Sequence, residues 1–250
     1  MTCADIDVLR QVVNIGYFAQ RKCGFRPDAH QQEIFMTCGK RTILNCSRQT
    51  GKSTTAALKA VHTAYFQHGS TVLVTAPTKQ QTREFIRKAR NFAALAGASL
   101  RGAKDAVFFK NGSRIVGIAS NEDTVRGFSA ISLLIVDEAS RVNDEVYFAL
   151  LPMLAVTDGN IWLMSTPKGK RGFFHAEWAS AVSERWIKIR TKAADCIRIS
   201  ADFLEAQKRR LGERRFAQEF ECVFIDIDHG VFHPDAVRGA FTDNVKPLDL

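Results

Sequence analysis

An α/β fold, a mostly parallel sheet with flanking helices, is what this sequence predicts, and three observations predict it. Residues 42–45 form an apolar strand-like run leading into Cys46-Ser47-Arg48-Gln49-Thr50-Gly51-Lys52-Ser53, after which a helical run begins at once. Residues 131–136, Ile-Ser-Leu-Leu-Ile-Val, have the continuous apolar character of a buried parallel strand and end on Asp137-Glu138. Residues 161–164 form another such run, ending on Ser165-Thr166-Pro167-Lys168-Gly169. Strands that end on polar clusters suit an open α/β sheet, whose ligands sit at the carboxyl ends of the strands.

In chain order, residues 28–38 read as a helix and 42–45 as the strand feeding the glycine-containing loop. The helix from Lys52 to Gln67 is stopped at Gly69. Residues 71–76 are the next strand, and Thr78 caps a long helix reaching about Leu95. Two short strands, 107–110 and 114–118, flank Asn111-Gly112-Ser113 as a hairpin. After a polar loop come the acid-ending strand, a helix over 143–151 and the strand at 161–164. A helix, a strand and two further helices follow between Gly172 and Phe220.

With 250 residues, 46% of them hydrophobic and 24% charged, the chain buries one large core with a small appended subdomain, and a second full domain does not fit. No apolar run approaches the length of a membrane span, and the N-terminus lacks a secretion-signal pattern, so a soluble intracellular protein is expected. The six cysteines, at 3, 23, 38, 46, 196 and 222, have no paired ligand spacing and read as reduced thiols. Charge is uneven: residues 79–114 hold nine basic and two acidic side chains, and 168–215 hold thirteen and six. Two basic blocks around an anion-binding loop point to a polyanion, most simply nucleic acid. Lys208-Arg209-Arg210 and Arg214-Arg215 equally suit the solvated face of a helix.

The chemistry of the first loop is phosphate binding. A row of unpaired backbone N–H groups at a helix N-terminus meets an anion together with the positive end of the helix dipole. The residues expected to hold the nucleotide are Ser47, Arg48, Gln49, Thr50, Gly51, Lys52, Ser53 and Thr54. Gly51 lets the backbone approach, Lys52 reaches the β- and γ-phosphates, and the Ser53 hydroxyl holds Mg2+. Asp137 is expected to hold that Mg2+ through water, and Glu138 to polarise the attacking water. Ser165 and Thr166 are expected to face the same cleft and sense the γ-phosphate, although Ser-Thr-Pro-Lys-Gly also suits a plain turn. The cofactors implied are ATP and Mg2+. Cys46 stands where a generic phosphate loop has its first glycine.

These residues resemble the large terminase subunits, the DNA-packaging motor ATPases of tailed double-stranded DNA phages. The resemblance rests on Ser-Arg-Gln-x-Gly-Lys-Ser at 47–53, Thr-Ala-Pro-Thr at 75–78, Val-Arg-Gly at 125–127, the apolar-Asp-Glu-Ala strand at 133–139 and Ser-Thr-Pro-Lys-Gly at 165–169. It covers roughly residues 27–225, and it accounts for Cys46, because the family commonly lacks the first glycine. It implies a P-loop NTPase fold of the ASCE (RecA-like) kind with a small basic C-terminal subdomain. The implied division is an ATPase core over 1–170, a small basic helical or lid subdomain over 171–222, and an exit strand and linker over 223–250.

The resemblance also implies roles. Residues 27–35 resemble the family's adenine-recognition segment, with Gln31 as the amide that reads the base edge; a solvent-facing helical glutamine is the alternative. Arg48 resembles an arginine used near the γ-phosphate, and Arg126 a second one, in some members a finger into a neighbouring subunit's site. Such a finger contributes roughly 10³ to 10⁵ in rate. Implied partners are double-stranded DNA, a homo-oligomeric ring such as a pentamer, the small terminase subunit and a portal protein. No membrane is expected, and the setting is the host cytoplasm, transiently at the procapsid portal. The family's C-terminal nuclease domain has no counterpart in these residues, so nuclease activity is not expected, and the Asp226, Asp228, His229, His233 cluster is a weak metal candidate. The alternatives are a helicase-type DNA translocase, which the Asp-Glu-Ala-Ser motif resembles, and a nucleotide-gated DNA-binding assembly module without turnover. Glu138 speaks against the second, because a switch that only binds needs no general base.

Overall fold

The structure, a computed structural model, describes residues 3–37, 39–98, 100–120, 127–180 and 186–226. Its centre is an eight-stranded sheet. The strands are β1 (Arg41–Cys46), β2 (Thr71–Ala76), β3 (Leu100–Arg101), β4 (Ala106–Phe109), β5 (Arg114–Ala119), β6 (Leu133–Asp137), β7 (Asn160–Ser165) and β8 (Ile187–Thr191). They lie in the order β3-β4-β5-β2-β6-β7-β1-β8. From β5 to β8 every pairing is parallel, and β3-β4-β5 is an antiparallel extension.

Period-two alternation in the strands splits the core into two layers. Leu133 and Ile135 of β6, Val72 and Val74 of β2, and Trp162 and Met164 of β7 face one layer. There they meet helices α2 (Ile15–Cys23), α3 (Ala29–Met36), α4 (Lys52–Phe66) and α5 (Lys79–Leu95). Leu134, Val136, Leu73, Ile161 and Leu163 face the other, beneath α6 (Asp144–Leu150) and α7 (Gly172–Ala179). Helix α1 (Cys3–Val13) leads into α2, and α8 (Ala201–Phe220) closes the described chain. Among the described residues no helix is long and apolar enough to cross a membrane.

The expected hairpin is present, with Val107 opposite Ile115 and Gly112 at φ 82°. Asn111 pins its turn by donating from Nδ2 to the carbonyls of Ala64 and Tyr65 at the end of α4. Thr78 caps α5 in a reciprocal box with Gln81: Gln81 N–H donates to Thr78 Oγ1 at 3.2 Å, and Thr78 N–H to Gln81 Oε1 at 3.1 Å. The region after residue 170 is tied more closely to the sheet than a small appended subdomain implies. Strand β8 is its edge strand, parallel to β1 with Leu44 opposite Ile189. The two expected terminal helices are α8, broken at Gly212 (φ 74°, ψ 162°).

Candidate nucleotide site

One strand, β7, lies between β1 and β6, so the carboxyl ends of the phosphate-loop strand and the acid-ending strand open onto one cleft. The loop from Ser47 to Gly51 is shaped by two residues in the left-handed region, Gln49 at φ 65° and Gly51 at φ 85°. A β-carbon on Gly51 would also lie 2.6 Å from Gln31 Nε2, so a substitution there must displace the Gln31 amide as well as hold a positive φ. The loop is held by Thr50 Oγ1 donating to the Ser47 carbonyl and by Ser47 N–H donating to the Thr191 carbonyl of β8. The first turn of α4 then forms, with Thr54 and Thr55 N–H both donating to the Gly51 carbonyl.

Across the cleft the two halves touch. Ser53 Oγ donates to Asp137 Oδ2 at 2.9 Å, and Lys52 Nζ lies 2.9 Å from Glu138 Oε1. Glu138 stands at φ 52°, ψ 41°, and its N–H donates to Asp137 Oδ1. Burial works to lower the Lys52 pKa, but the Glu138 and Asp137 carboxylates outweigh it and hold the ammonium above its ordinary value. Burial lifts the Asp137 carboxyl above the usual carboxylate range, with Lys52 pulling against it. A hydroxyl and a carboxylate oxygen in direct contact are hard donors of the kind Mg2+ takes, so Ser53 and Asp137 fit that ion.

Sequence reasoning passed over three residues here. Arg141, one tight turn after the acids, brings Nε to 3.6 Å from Glu138 Oε2. Gln81 lines the cleft with Arg48, Gln49, Lys52, Glu138 and Arg141. Arg198 donates from Nη2 to the Thr50 carbonyl at 3.2 Å and pairs with Asp28 at 2.9 Å. The spacing of Glu138 and Arg141 is a readable signal; nothing in the sequence links residue 198 to residue 50.

Other expected site residues sit differently. Ser165 and Thr166 are buried, and their hydroxyls are turned inward. Thr166 Oγ1 donates to the Cys46 carbonyl at 3.0 Å, and Ser165 Oγ meets Ser140 Oγ at 2.7 Å. They therefore tie β7 to the start of the phosphate loop and to the segment after the acids. Gln31 is buried, 1% exposed, rather than solvent-facing; its Oε1 accepts from Asp28 N–H and its Nε2 has no hydrogen-bond partner. Arg48 lines the cleft yet pairs through Nε with Glu219 of α8. Arg126, with most of the Val-Arg-Gly motif, lies outside the described residues, as do Asp228, His229 and His233; Asp226 pairs with Lys170.

A parallel sheet whose phosphate-loop strand and acid-ending strand flank one further strand, with lysine, serine and two acids meeting across the gap, defines a P-loop NTPase of the ASCE class. The family model for the N-terminal part of the terminase large subunit, T4likevirus-type, matches residues 43–237, and the chain belongs to this family. The terminase large subunit of Thermus virus P23-45 is 28% identical over 174 residues, and that of Thermus phage G20c is 26% identical over the same length. In both cases the match covers 60% of this chain and 36% of the relative. Among solved structures, the large terminase ATPase domain of Thermus phage P74-26 superposes with a TM-score of 0.74 at 21% identity, covering 85% of this chain and 99% of that domain. The large terminase of another thermophilic bacteriophage, in complex with ADP, gives 0.65 at 13% identity, covering 75% of this chain and 49% of that one.

Proposed function

We propose that this chain is the ATP-hydrolysing motor of a viral DNA-packaging terminase, which moves double-stranded DNA into a procapsid. The observation that carries the proposal is the pair of contacts Lys52–Glu138 and Ser53–Asp137, which gathers the phosphate-neutralising, metal-holding and water-activating groups in one cleft. The ADP in the complex of the thermophilic phage's terminase supports a nucleotide as ligand. When ATP binds, its phosphates draw Lys52 away from Glu138. The freed carboxylate accepts the proton of the attacking water, while Arg141 remains beside it. The backbone of residues 47–54 cradles the phosphates, and Ser53 and Asp137 would hold a Mg2+ that would neutralise their charge. Ser165 and Thr166 couple the site to β7 through the Cys46 carbonyl and Ser140.

Gln31 reads the adenine edge, Arg48 acts within its own site, and Arg126 acts as a finger from a neighbouring subunit. The motor then works as a homo-oligomeric ring such as a pentamer, in the host cytoplasm and at the portal, with the small terminase subunit. Residues 171–222 complete the motor; of the exit strand and linker expected over 223–250, residues 227–250 lie outside the described residues. DNA contact falls to the two basic blocks, 79–114 and 168–215, and side chains of both are paired within the chain, Lys170 with Asp226, Arg198 with Asp28 and Lys208 with Glu213 in the second. In the first block Arg83 pairs with Asp105 and Arg87 with Glu84, and Arg90 donates to the carbonyls of Ala103 and Ala106.

The test is steady-state ATP turnover with and without duplex DNA over a range of protein concentrations. Specific activity should rise with concentration. Glu138→Gln protein, which keeps Arg126, should restore turnover to Arg126→Ala protein but not to Arg48→Ala protein. Absence of any turnover under conditions where ATP binds would leave the assembly-module reading instead.

A further inference from the structure

Beside the phosphate loop, where His30 meets the Thr50 carbonyl, three potential ligands converge to which the hydrolysis chemistry gives no role. Asp28 and His30 come from the N-terminal end of α3, and Cys196 follows the short turn after β8. Their ligand atoms all lie within 4.8 Å of one another. The setting is dry: His30 is 7% exposed, Cys196 is fully buried, and the Asp28 side chain is 15% exposed.

The tautomer of His30 can be assigned from its partner. Nε2 lies 2.8 Å from the Thr50 carbonyl oxygen, which can only accept, so Nε2 carries the proton. Nδ1 then keeps its lone pair, and that atom is buried without a hydrogen-bond partner. An imidazole that donates one N–H to a backbone carbonyl while its other nitrogen stands open has the outer-shell arrangement usual for a metal-ligating histidine. Asp28 Oδ2 is likewise buried without a hydrogen bond of proper geometry, although Arg198 Nη2 lies 2.9 Å from it as an ion pair.

We propose that Asp28, His30 and Cys196 form a binding site for one divalent cation of the zinc class. A thiolate, an imidazole and a carboxylate are a donor set that selects zinc over magnesium or calcium. With bonds of about 2.0–2.3 Å, tetrahedral geometry sets ligand atoms roughly 3.3–3.7 Å apart, which small side-chain movements from the present separation reach. On binding, Cys196 gives up its thiol proton to solvent and its sulfur donates an electron pair to the metal. Carboxylate and thiolate together match the charge of the ion. Arg198 is the opposing charge and the outer-shell partner of Asp28. Because His30 and Arg198 both end on the Thr50 carbonyl, an ion here would brace the phosphate loop from α3 and from the chain after β8.

The experiment adds Co2+ to the chelator-treated protein and follows thiolate-to-cobalt charge-transfer absorption. The site predicts one equivalent, release of about one proton per metal, and displacement by Zn2+. Cys196→Ser should lose the charge-transfer band, and His30→Gln and Asp28→Asn should keep it but weaken binding by more than about tenfold. Cys23→Ser, which removes a buried thiol elsewhere, should bind as the parent does. Circular dichroism of each variant without metal shows that it is folded, and should Cys196→Ser not fold, the His30→Gln and Asp28→Asn affinities decide. Sub-stoichiometric cobalt in the parent, a band that survives in Cys196→Ser, or parental affinity in both other variants would overturn the site.

Discussion

Glu138 occupies a left-handed backbone conformation, which costs a residue with a β-carbon on the order of 1–3 kcal/mol. The turn it makes places its N–H on Asp137 and its carboxylate on Lys52, so the strain serves the geometry of the site. Arg141 is the cation left beside Glu138 once phosphate takes Lys52. Arg141→Ala should therefore lower kcat by about tenfold with KM little changed, and Arg141→Lys should recover part of the loss; an unchanged kcat in stopped-time phosphate release would remove Arg141 from the mechanism. Cys46 is 1% exposed and its thiol is pushed up to about 11 by burial, so it is a small residue packed at a strand end. Native protein should resist alkylation at Cys46, as mapped by mass spectrometry, until it is denatured. The meeting of Lys52 and Ser53 with Asp137 and Glu138 could be expected from sequence, because both pairs directly follow apolar strands of one parallel sheet. Ser165 and Thr166 could be placed on the right strand end, but not the direction of their hydroxyls, which depends on Ser140 and on the Cys46 carbonyl across the sheet.

At the scale of elements, local signals located most of the sheet. Apolar runs with polar ends marked β1, β2, β6 and β7; Asn111-Gly112 marked the hairpin; and Thr78 marked the start of α5. Thr78→Ala should cost about 1 kcal/mol in a denaturant titration, because the exposed cap is lost while the rest of α5 remains packed. A cost near zero would mean that Gln81 alone holds that end. Gly51→Ala should abolish nucleotide binding, because it meets both a positive φ and the Gln31 amide. Local pattern gave a strand between the helices after Gly172 but not its place: β8, whose short run carries Lys188 and Arg190, joins the main sheet as the parallel partner of β1. The contact of Arg198 with the phosphate loop spans 148 residues of sequence and leaves no local trace.

For the molecule as a whole, pH acts through a buried histidine far from the cleft. His62 of α4 packs its ring against Phe18 and Phe66, bonds through Nε2 to the Gln11 carbonyl, and is lowered by burial from 6.5 to about 4. Because the folded pKa lies below the unfolded one, the unfolded state takes up the proton first, and stability falls as pH drops from about 6.5 to about 4, by on the order of 3 kcal/mol. His62→Gln should flatten that part of a melting-temperature profile; an unchanged slope would assign it to other groups. The central claim concerns the cleft, where Glu138 and the phosphates compete for Lys52. The most direct measurement is ATP affinity and single-turnover hydrolysis of Glu138→Gln protein beside the parent. This account predicts affinity equal to or tighter than the parent's, because the neutral amide competes less for Lys52, with hydrolysis slowed by roughly 100-fold or more. Hydrolysis at the parental rate, or loss of ATP binding, would contradict it.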